Sequence, residues 1–469
     1  MRVLLVNPDV SLVRAPNLPL GLLAASLEAA GHEVHVADVA FKGWNRARVI
    51  QVATSQQWDL VGIQVYSCGW EAARAVAQAI KAADPRVRVV VGGRHVSALP
   101  REVLDQEPAV DFALASECEG TLPALAASLR DDPNASPDVP ELYRRTADGI
   151  VRGPCAVVSD LDDLPLPAWR HIAPSLYPAA PQGGFVAALP VAPIITSRGC
   201  PYSCRFCASG VGGGPIRTVR YRSPDNVAQE VALLVRDHGI RELQILDDNF
   251  TLKRAHAVGV CEALLSRDLR LALSLPNGVR LDKLDADLVR LLERTGCYSL
   301  TVGVDSGSQR VLDSMDRRVT LEEMEAGIRL IKENSNIRVT GNFILGLPGE
   351  TLADIGKTIA YAKRIGLGRA YFAVYLPLPG SPLFDELRAA GVLEGLRYDQ
   401  LTPAARAIPF TPDGVSEQQL RRALWRAYAE FYLRPSILWG LAREVRSVEH
   451  ARFLAHKVAS RLVGRQTEG

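Results

Sequence analysis

Three cysteines, Cys200, Cys204 and Cys207, fall within eight residues, in the run Thr196-Ser197-Arg198-Gly199-Cys200-Pro201-Tyr202-Ser203-Cys204-Arg205-Phe206-Cys207. Three thiolates in a short loop can wrap one face of an iron–sulfur cubane, each binding one iron and leaving the fourth iron without a protein ligand. An iron left open in this way can chelate a substrate. Structural zinc is the competing chemistry, but zinc closes with four ligands, and the spare thiols Cys155 and Cys261 lie far off in sequence. The other cysteines are scattered and read as buried thiols rather than disulfides. The N-terminus, MRVLLVNPDV, turns polar at Asn7-Pro8-Asp9 too soon for a secretory signal, and a cytoplasmic setting keeps thiols reduced.

The elements that must hold this loop are legible in the hydrophobic pattern. At 469 residues the chain has room for several domains, and its 48% hydrophobic and 23% charged composition is that of a folded protein. RVLLVNP, EVHVADV, DLVGIQVYS, VRVVVGG and DFALAS are apolar runs separated by helix-like stretches, which predicts a parallel sheet covered on both faces over residues 1–135. The Pro- and Asp-rich DDPNASPDVP opens a linker over 136–190 that includes Leu161-Asp162-Asp163-Leu164-Pro165. A second alternation, PIITSRG, RELQILDD, RLALSLP, YSLTVGVDSG, IRVTGNFILG and RAYFAVYLP, predicts a partial barrel of six strand–helix repeats over 191–390. The cysteines follow its first strand, at the end where barrel chemistry sits. Residues 391–469 read as amphipathic helices, whose aromatics Trp425, Tyr428, Phe431, Tyr432 and Trp439 can roof a site or simply form core. Lys plus Arg number 54 against 52 Asp plus Glu, so charge predicts no nucleic-acid partner. No stretch approaches the roughly 20 apolar residues of a membrane span.

The CxxxCxxC spacing, with the aromatic Phe206 before the last cysteine, resembles the radical S-adenosylmethionine (SAM) superfamily, and the resemblance extends through the barrel. It implies a [4Fe–4S] cluster on Cys200, Cys204 and Cys207, whose open iron takes the amino and carboxylate groups of SAM. One electron then splits the sulfonium to a 5′-deoxyadenosyl radical. Asp247 and Asp248, in Leu246-Asp247-Asp248-Asn249-Phe250-Thr251, stand where the family meets the methionine ammonium, though Asp and Asn there also suit a helix cap. Asp305 and Ser306, in Gly303-Val304-Asp305-Ser306-Gly307-Ser308, resemble the ribose-contacting motif, with Asp in place of the usual Glu. Gly341 and Gly346, in the run from Gly341 to Glu350, resemble the adenine-packing segment, where glycine permits close backbone approach. Leu376-Pro377-Leu378-Pro379-Gly380-Ser381 resembles the loop that ends the barrel.

The first 130 residues resemble the cobalamin-binding domain that precedes many such barrels. Gly92 and Gly93 would admit the nucleotide tail, Ser67 would donate to it, and Glu117 lies in the matching loop after the fifth strand. His95 reads as a hydrogen-bonding or surface residue rather than a cobalt ligand. Asn7 to Arg14, the loop after the first strand, lacks the histidine that ligates cobalt in the mutase type, so the resemblance implies cobalamin held base-off with no histidine on cobalt. A domain kept only as a scaffold is the alternative, since a fold can outlive its ligand.

Together these resemblances imply a cobalamin-dependent radical SAM enzyme, most simply a methyltransferase acting on an unactivated carbon or phosphorus centre of a small molecule. An external one-electron reductant such as flavodoxin or ferredoxin would feed it. A cyclase, oxidase or rearrangement enzyme using the same cofactors, and a non-catalytic cobalamin or iron–sulfur protein, remain open at this point; a carrier would normally close its cluster with a fourth ligand.

Overall fold

The computed structural model describes residues 1–9, 14–135, 137–155, 157–178, 186–209, 218–402 and 407–444. The chain forms two compact units. One comprises Met1–Tyr202, Phe206–Leu243 and Leu378–Leu401; the other comprises Ser203–Arg205, Gln244–Pro377 and Thr402–Gly469.

In the first unit the apolar runs become strands β1 Arg2–Asn7, β2 Glu33–Asp38, β3 Leu60–Gln64, β4 Arg88–Gly92 and β5 Phe112–Leu114, joined by β6 Leu142–Thr146 and β7 Gly149–Arg152. Their order is β2-β1-β3-β4-β5-β6-β7, with β1 to β5 all parallel. Alternate residues of β1 feed two different cores: Leu4 and Val6 pack with Val61, Ile63, Trp70 and Val76, while Val3 and Leu5 pack with Leu60, Val90, Leu122 and Leu125. A strand buried on both faces needs apolar residues at every position, which is why these runs do not alternate. The chain leaves β1 toward β2 on one side and continues from β3 on the other, so a ligand crevice is expected beyond the strand ends at this reversal.

The expected linker is partly sheet. β6 pairs antiparallel with β5 and with β7, around a turn in which Gly149 has φ +112°. Leu142-Tyr143-Arg144-Arg145-Thr146 buries only its first two residues and is charged or polar after them, so its pattern resembles a loop. The acidic stretch is fastened as well: Asp162 accepts from the Ser223 backbone N–H at 2.9 Å, and the Trp169 indole donates to buried Glu230 at 3.0 Å.

The second sheet is built from β8 Val191–Ile194, β11 Glu242–Ile245, β12 Ala272–Val279, β13 Cys297–Asp305, β14 Arg338–Leu345 and β15 Arg369–Val374; a short ladder of β9 Ser197–Arg198 and β10 Arg220–Tyr221 stands apart. The sheet order is β15-β14-β13-β12-β11-β8, with β12 to β15 parallel, as expected for an open six-strand barrel. The intervening helices start at strong caps. Thr320 with Glu323, Thr351 with Asp354 and Ser416 with Gln419 each form a reciprocal capping box. The helix Glu417–Tyr432 packs along β15 and buries Tyr428 and Phe431, so these aromatics are core, whereas Trp425 and Trp439 are exposed. The Tyr428 hydroxyl donates to the Phe372 carbonyl at 2.8 Å and accepts from its N–H at 3.2 Å; Tyr432 does the same for Ala370 at 2.8 and 3.3 Å. No helix among the described residues is long and apolar enough to cross a membrane.

Candidate active site

The cysteine loop leaves the β9–β10 ladder, in which Arg198 faces Arg220 and Ser197 faces Tyr221. Gly199 turns the chain out of β9 at φ +98°, and a Cβ there would lie 2.9 Å from the Thr218 carbonyl oxygen, so glycine is required. Cys200, Cys204 and Cys207 are all half-buried and none is disulfide-bonded. Phe206 is half-buried beside them in sequence. The middle of the loop is held by hydrogen bonds: Ser203 donates to Asp316, the Arg205 N–H donates to the Met315 carbonyl at 3.0 Å, and the Arg205 guanidinium donates to that of Ser314 at 2.7 Å. Cys207 interacts with the Ser209 hydroxyl at 3.1 Å. Among the described residues no set of three or more His, Cys, Asp or Glu side chains is gathered at metal-holding distance.

Arg317 is the residue that sequence reasoning missed. Its guanidinium donates to Asp305 and, at 2.8 Å, to the Gly303 carbonyl, and it also meets the Cys204 sulfur. Burial alone would lower its pKa, but Asp305 and then Cys204 hold it above arginine's usual range. The side chains of Arg317 and Asp305 are 12% and 10% exposed, so this is a buried pair. Nothing in the motif Gly303 to Ser308 points twelve positions downstream, across a helix, to this partner.

At the strand ends the predicted residues divide. Asp247 is buried and Asp248 half-buried after β11, with buried Asn249 beside them. Asp305 ends β13 in the left-handed region, at φ +61°, and is committed to Arg317. Ser306 is fully buried and bonds to Thr358 at 3.1 Å, so it braces the turn. At Gly341 and Gly346 the space a side chain would take is filled by the protein itself. A Cβ on Gly341 would lie 2.5 Å from Leu367 Cδ1, and one on Gly346, at φ +82°, would lie 2.6 Å from Leu420 Cδ2. Both make room for the protein's own leucines.

Among the described residues, Asn249 Nδ2 after β11 and Glu350 Oε1 after β14 are buried polar atoms at this edge without a hydrogen-bond partner. The other Glu350 oxygen, Oε2, accepts from the N–H groups of Gly346 at 2.6 Å and Leu347 at 3.1 Å. Burial raises the Glu350 pKa to about 7 against the pull of those two donors, so its proton belongs on Oε1. The unfolded carboxyl ionises near 4.5, so folding stability is full below that pH and is lost as pH rises through about 7. Glu350→Gln keeps both N–H contacts without the charge. In urea denaturation it should exceed the wild type by up to about 3 kcal/mol at pH 8 and match it at pH 4.5. Parallel pH profiles for the two proteins would refute this assignment.

The crevice edge of the first sheet carries the other candidates. Gly93 lies across the end of β3 at φ +111°, where a Cβ would stand 2.7 Å from the Val65 carbonyl oxygen, whereas Gly92 has only ordinary contacts. The tight approach at Gly93 is thus to Val65 of the protein itself. Ser67 bonds to His95 Nδ1 at 3.1 Å, and the His95 ring packs between Trp70 and Tyr398. His95 is 1% exposed and burial depresses its pKa to about 4, so it is a neutral interior residue and not a surface one. Glu117 is engaged by Arg220 at 2.7 and 2.8 Å and by Arg198 at 3.4 Å, which makes it an ion-pair centre. Ser116 Oγ, after β5, is buried and unpartnered. Of the histidine-free loop from Asn7 to Arg14, residues 10–13 lie outside the described residues.

Three thiols on one loop, none of them in a disulfide, are a donor set that suits an iron–sulfur cluster, and each unit taken by itself carries an unpartnered buried polar atom at its strand ends, as a polar ligand requires. Comparison with known proteins agrees. Residues 194–362 match the family model of the radical SAM superfamily, and residues 9–126 match that of the B12 binding domain. An uncharacterized methyltransferase of Pyrococcus horikoshii is 26% identical over 447 residues, 93% of this chain and 94% of the relative. Cytidylyl-2-hydroxyethylphosphonate methyltransferase of Streptomyces wedmorensis is 28% identical over 449 residues, 84% of this chain and 83% of the relative. The solved structure of the radical SAM methyltransferase TsrM of Kitasatospora setae, with cobalamin and a [4Fe–4S] cluster bound, superimposes with a TM-score of 0.67 at 21% identity, covering 99% of this chain and 96% of that one.

Proposed function

We propose, from the premise that this chain belongs to the radical SAM superfamily and carries a B12-binding domain ahead of its barrel, that it methylates an unactivated carbon or phosphorus centre of a small molecule. The observation that carries this reading is the likeness to methyltransferases along nearly the whole chain, both domains included. Bound at these sites, the cluster would supply the electron that cleaves SAM and cobalamin would carry the methyl group. Cys200, Cys204 and Cys207 would hold the cluster, and the strand-end groups Asn249 and Glu350 would meet SAM. Below about pH 7 Glu350 presents a proton at Oε1, so it acts there as a donor and adds no negative charge. Arg317 keeps Asp305 and Cys204 in one hydrogen-bonded unit, which fixes the ribose-motif turn and the central cysteine together. On this reading cobalamin sits base-off, without a histidine on cobalt, and a flavodoxin or ferredoxin delivers the electron.

Anaerobic reconstitution with iron, sulfide and aquocobalamin, followed by SAM and a strong reductant, tests the proposal. S-adenosylhomocysteine equivalent to the bound cobalamin, together with 5′-deoxyadenosine, is the expected result. Alanine at Cys200, Cys204 or Cys207 should cut 5′-deoxyadenosine by at least 100-fold. Formation of 5′-deoxyadenosine alone would remove methyl transfer, and no cleavage by an intact reduced cluster would remove the enzyme reading altogether.

A further inference from the structure

The ladder that roots the cysteine loop contains an arrangement that should not hold by itself. Arg198 and Arg220 stand directly opposite each other on β9 and β10, and like charges in that relation push strands apart. Both side chains are largely buried, 17% and 13% exposed. They are held by two carboxylates from the loop after β5. Glu119 accepts from Arg198 at 2.6 Å, and Glu117 takes Arg220 through both its oxygens while reaching Arg198 at 3.4 Å. Paired burial of this kind is stable only while every member is present, because removing one partner leaves an uncompensated charge.

The far root of the loop is held from the same edge. Arg94, at the end of β4, donates to the carbonyl of Ala208, the residue after Cys207, at 3.1 Å. The loops after β4 and β5 therefore grip the cysteine loop just before its first cysteine and just after its last. These are crevice loops of the first sheet, the edge at which an α/β sheet takes its ligand.

We infer that Glu117, Glu119 and Arg94 are positioning residues for the cysteine loop, and that through them the ligand state of the first sheet's crevice and metal loading of the cysteines are coupled. The inference rests on the cluster and cobalamin reading above. By linkage, the coupling runs equally in both directions. Fixing the crevice loops with a ligand steadies the two roots of the cysteine loop, and gathering the cysteines around iron steadies the crevice loops.

The test uses the metal-free full-length chain and follows iodoacetamide alkylation of each cysteine by peptide mass spectrometry. In Glu117→Gln/Glu119→Gln, Cys200 should be alkylated at least five-fold faster than in the wild type, and iron uptake on reconstitution should fall by more than half. The charge-exchanged pair Glu119→Arg/Arg198→Glu should restore much of the Cys200 protection. Arg94 is exposed and makes one hydrogen bond among the described residues, so Arg94→Ala should keep the fold and speed alkylation of Cys207 without affecting Cys200. Aquocobalamin should slow Cys200 alkylation in the wild type and not in the double variant. Unchanged Cys200 and iron uptake in the double variant, or unchanged Cys207 in Arg94→Ala, would overturn the positioning role. Cobalamin bound one to one with no effect on Cys200 would overturn the coupling. Failure of the wild type to take up iron or cobalamin would instead count against the function proposed above.

Discussion

Replacing Arg317 with methionine is expected to destabilise the chain by about 3–5 kcal/mol, because it strands the Asp305 carboxylate in a buried position that its partner alone makes tolerable. The loss is larger than that of an exposed ion pair, which contributes about 1 kcal/mol or less. It also releases the Gly303 carbonyl and the contact to Cys204. Adding Asp305→Asn to the methionine variant removes the stranded charge and should recover more than half of the stability, although not the cluster environment. Urea midpoints for the two single variants and the double variant give the coupling energy directly. The electron paramagnetic resonance signal of the reduced cluster should differ from wild type in every variant lacking Arg317. A coupling energy near zero would show that Arg317 and Asp305 are neighbours without being partners.

Gly93→Ala is expected to cost about 2–5 kcal/mol, the sum of strain at a positive φ and of pressing a methyl group into backbone. The clash is with the Val65 carbonyl oxygen at 2.7 Å and the Val65 nitrogen at 3.1 Å, neither of which can turn aside as a side chain would. Val65 is also tied to both sides of this turn, donating to the Gly92 carbonyl at 2.8 Å and accepting from the His95 N–H at 3.2 Å. The adjacent Gly92→Ala meets only contacts of 3.6 and 3.7 Å and should stay within about 1 kcal/mol of wild type. Thermal denaturation distinguishes the two, and aquocobalamin titration should show weakened binding for the position 93 variant. Equal tolerance of alanine at both positions would mean that the turn can relax away from β3.

What could be read in advance follows from how local each signal is. Strands such as Arg2–Asn7 and Arg88–Gly92 announce themselves because a parallel strand buried on two faces is apolar at every position. The cysteine spacing was equally plain, since eight consecutive residues contain it all. The β6–β7 hairpin was hidden because Arg144 and Arg145 put a charge on each of its faces in turn and its turn sits among loop-like residues. Glu117 was read from its loop alone; its partners lie 81 and 103 positions away in sequence, and only the fold brings them to it. Gly341 shows a different limit. The need for a missing side chain was legible, but the identity of the group that occupies the space, Leu367, was not.

An open barrel leaves its last strand with main-chain groups facing outward, and in this chain two phenols four residues apart on one helix supply a donor and an acceptor to each of Ala370 and Phe372. The helix thus imitates the main chain of a neighbouring strand without being one. Its undocking, more than the loss of any residue at the strand ends, would turn β15 into a template for strand addition by a second molecule. Solubility under heating therefore depends on Tyr428 and Tyr432, two residues of a helix outside the barrel's strands.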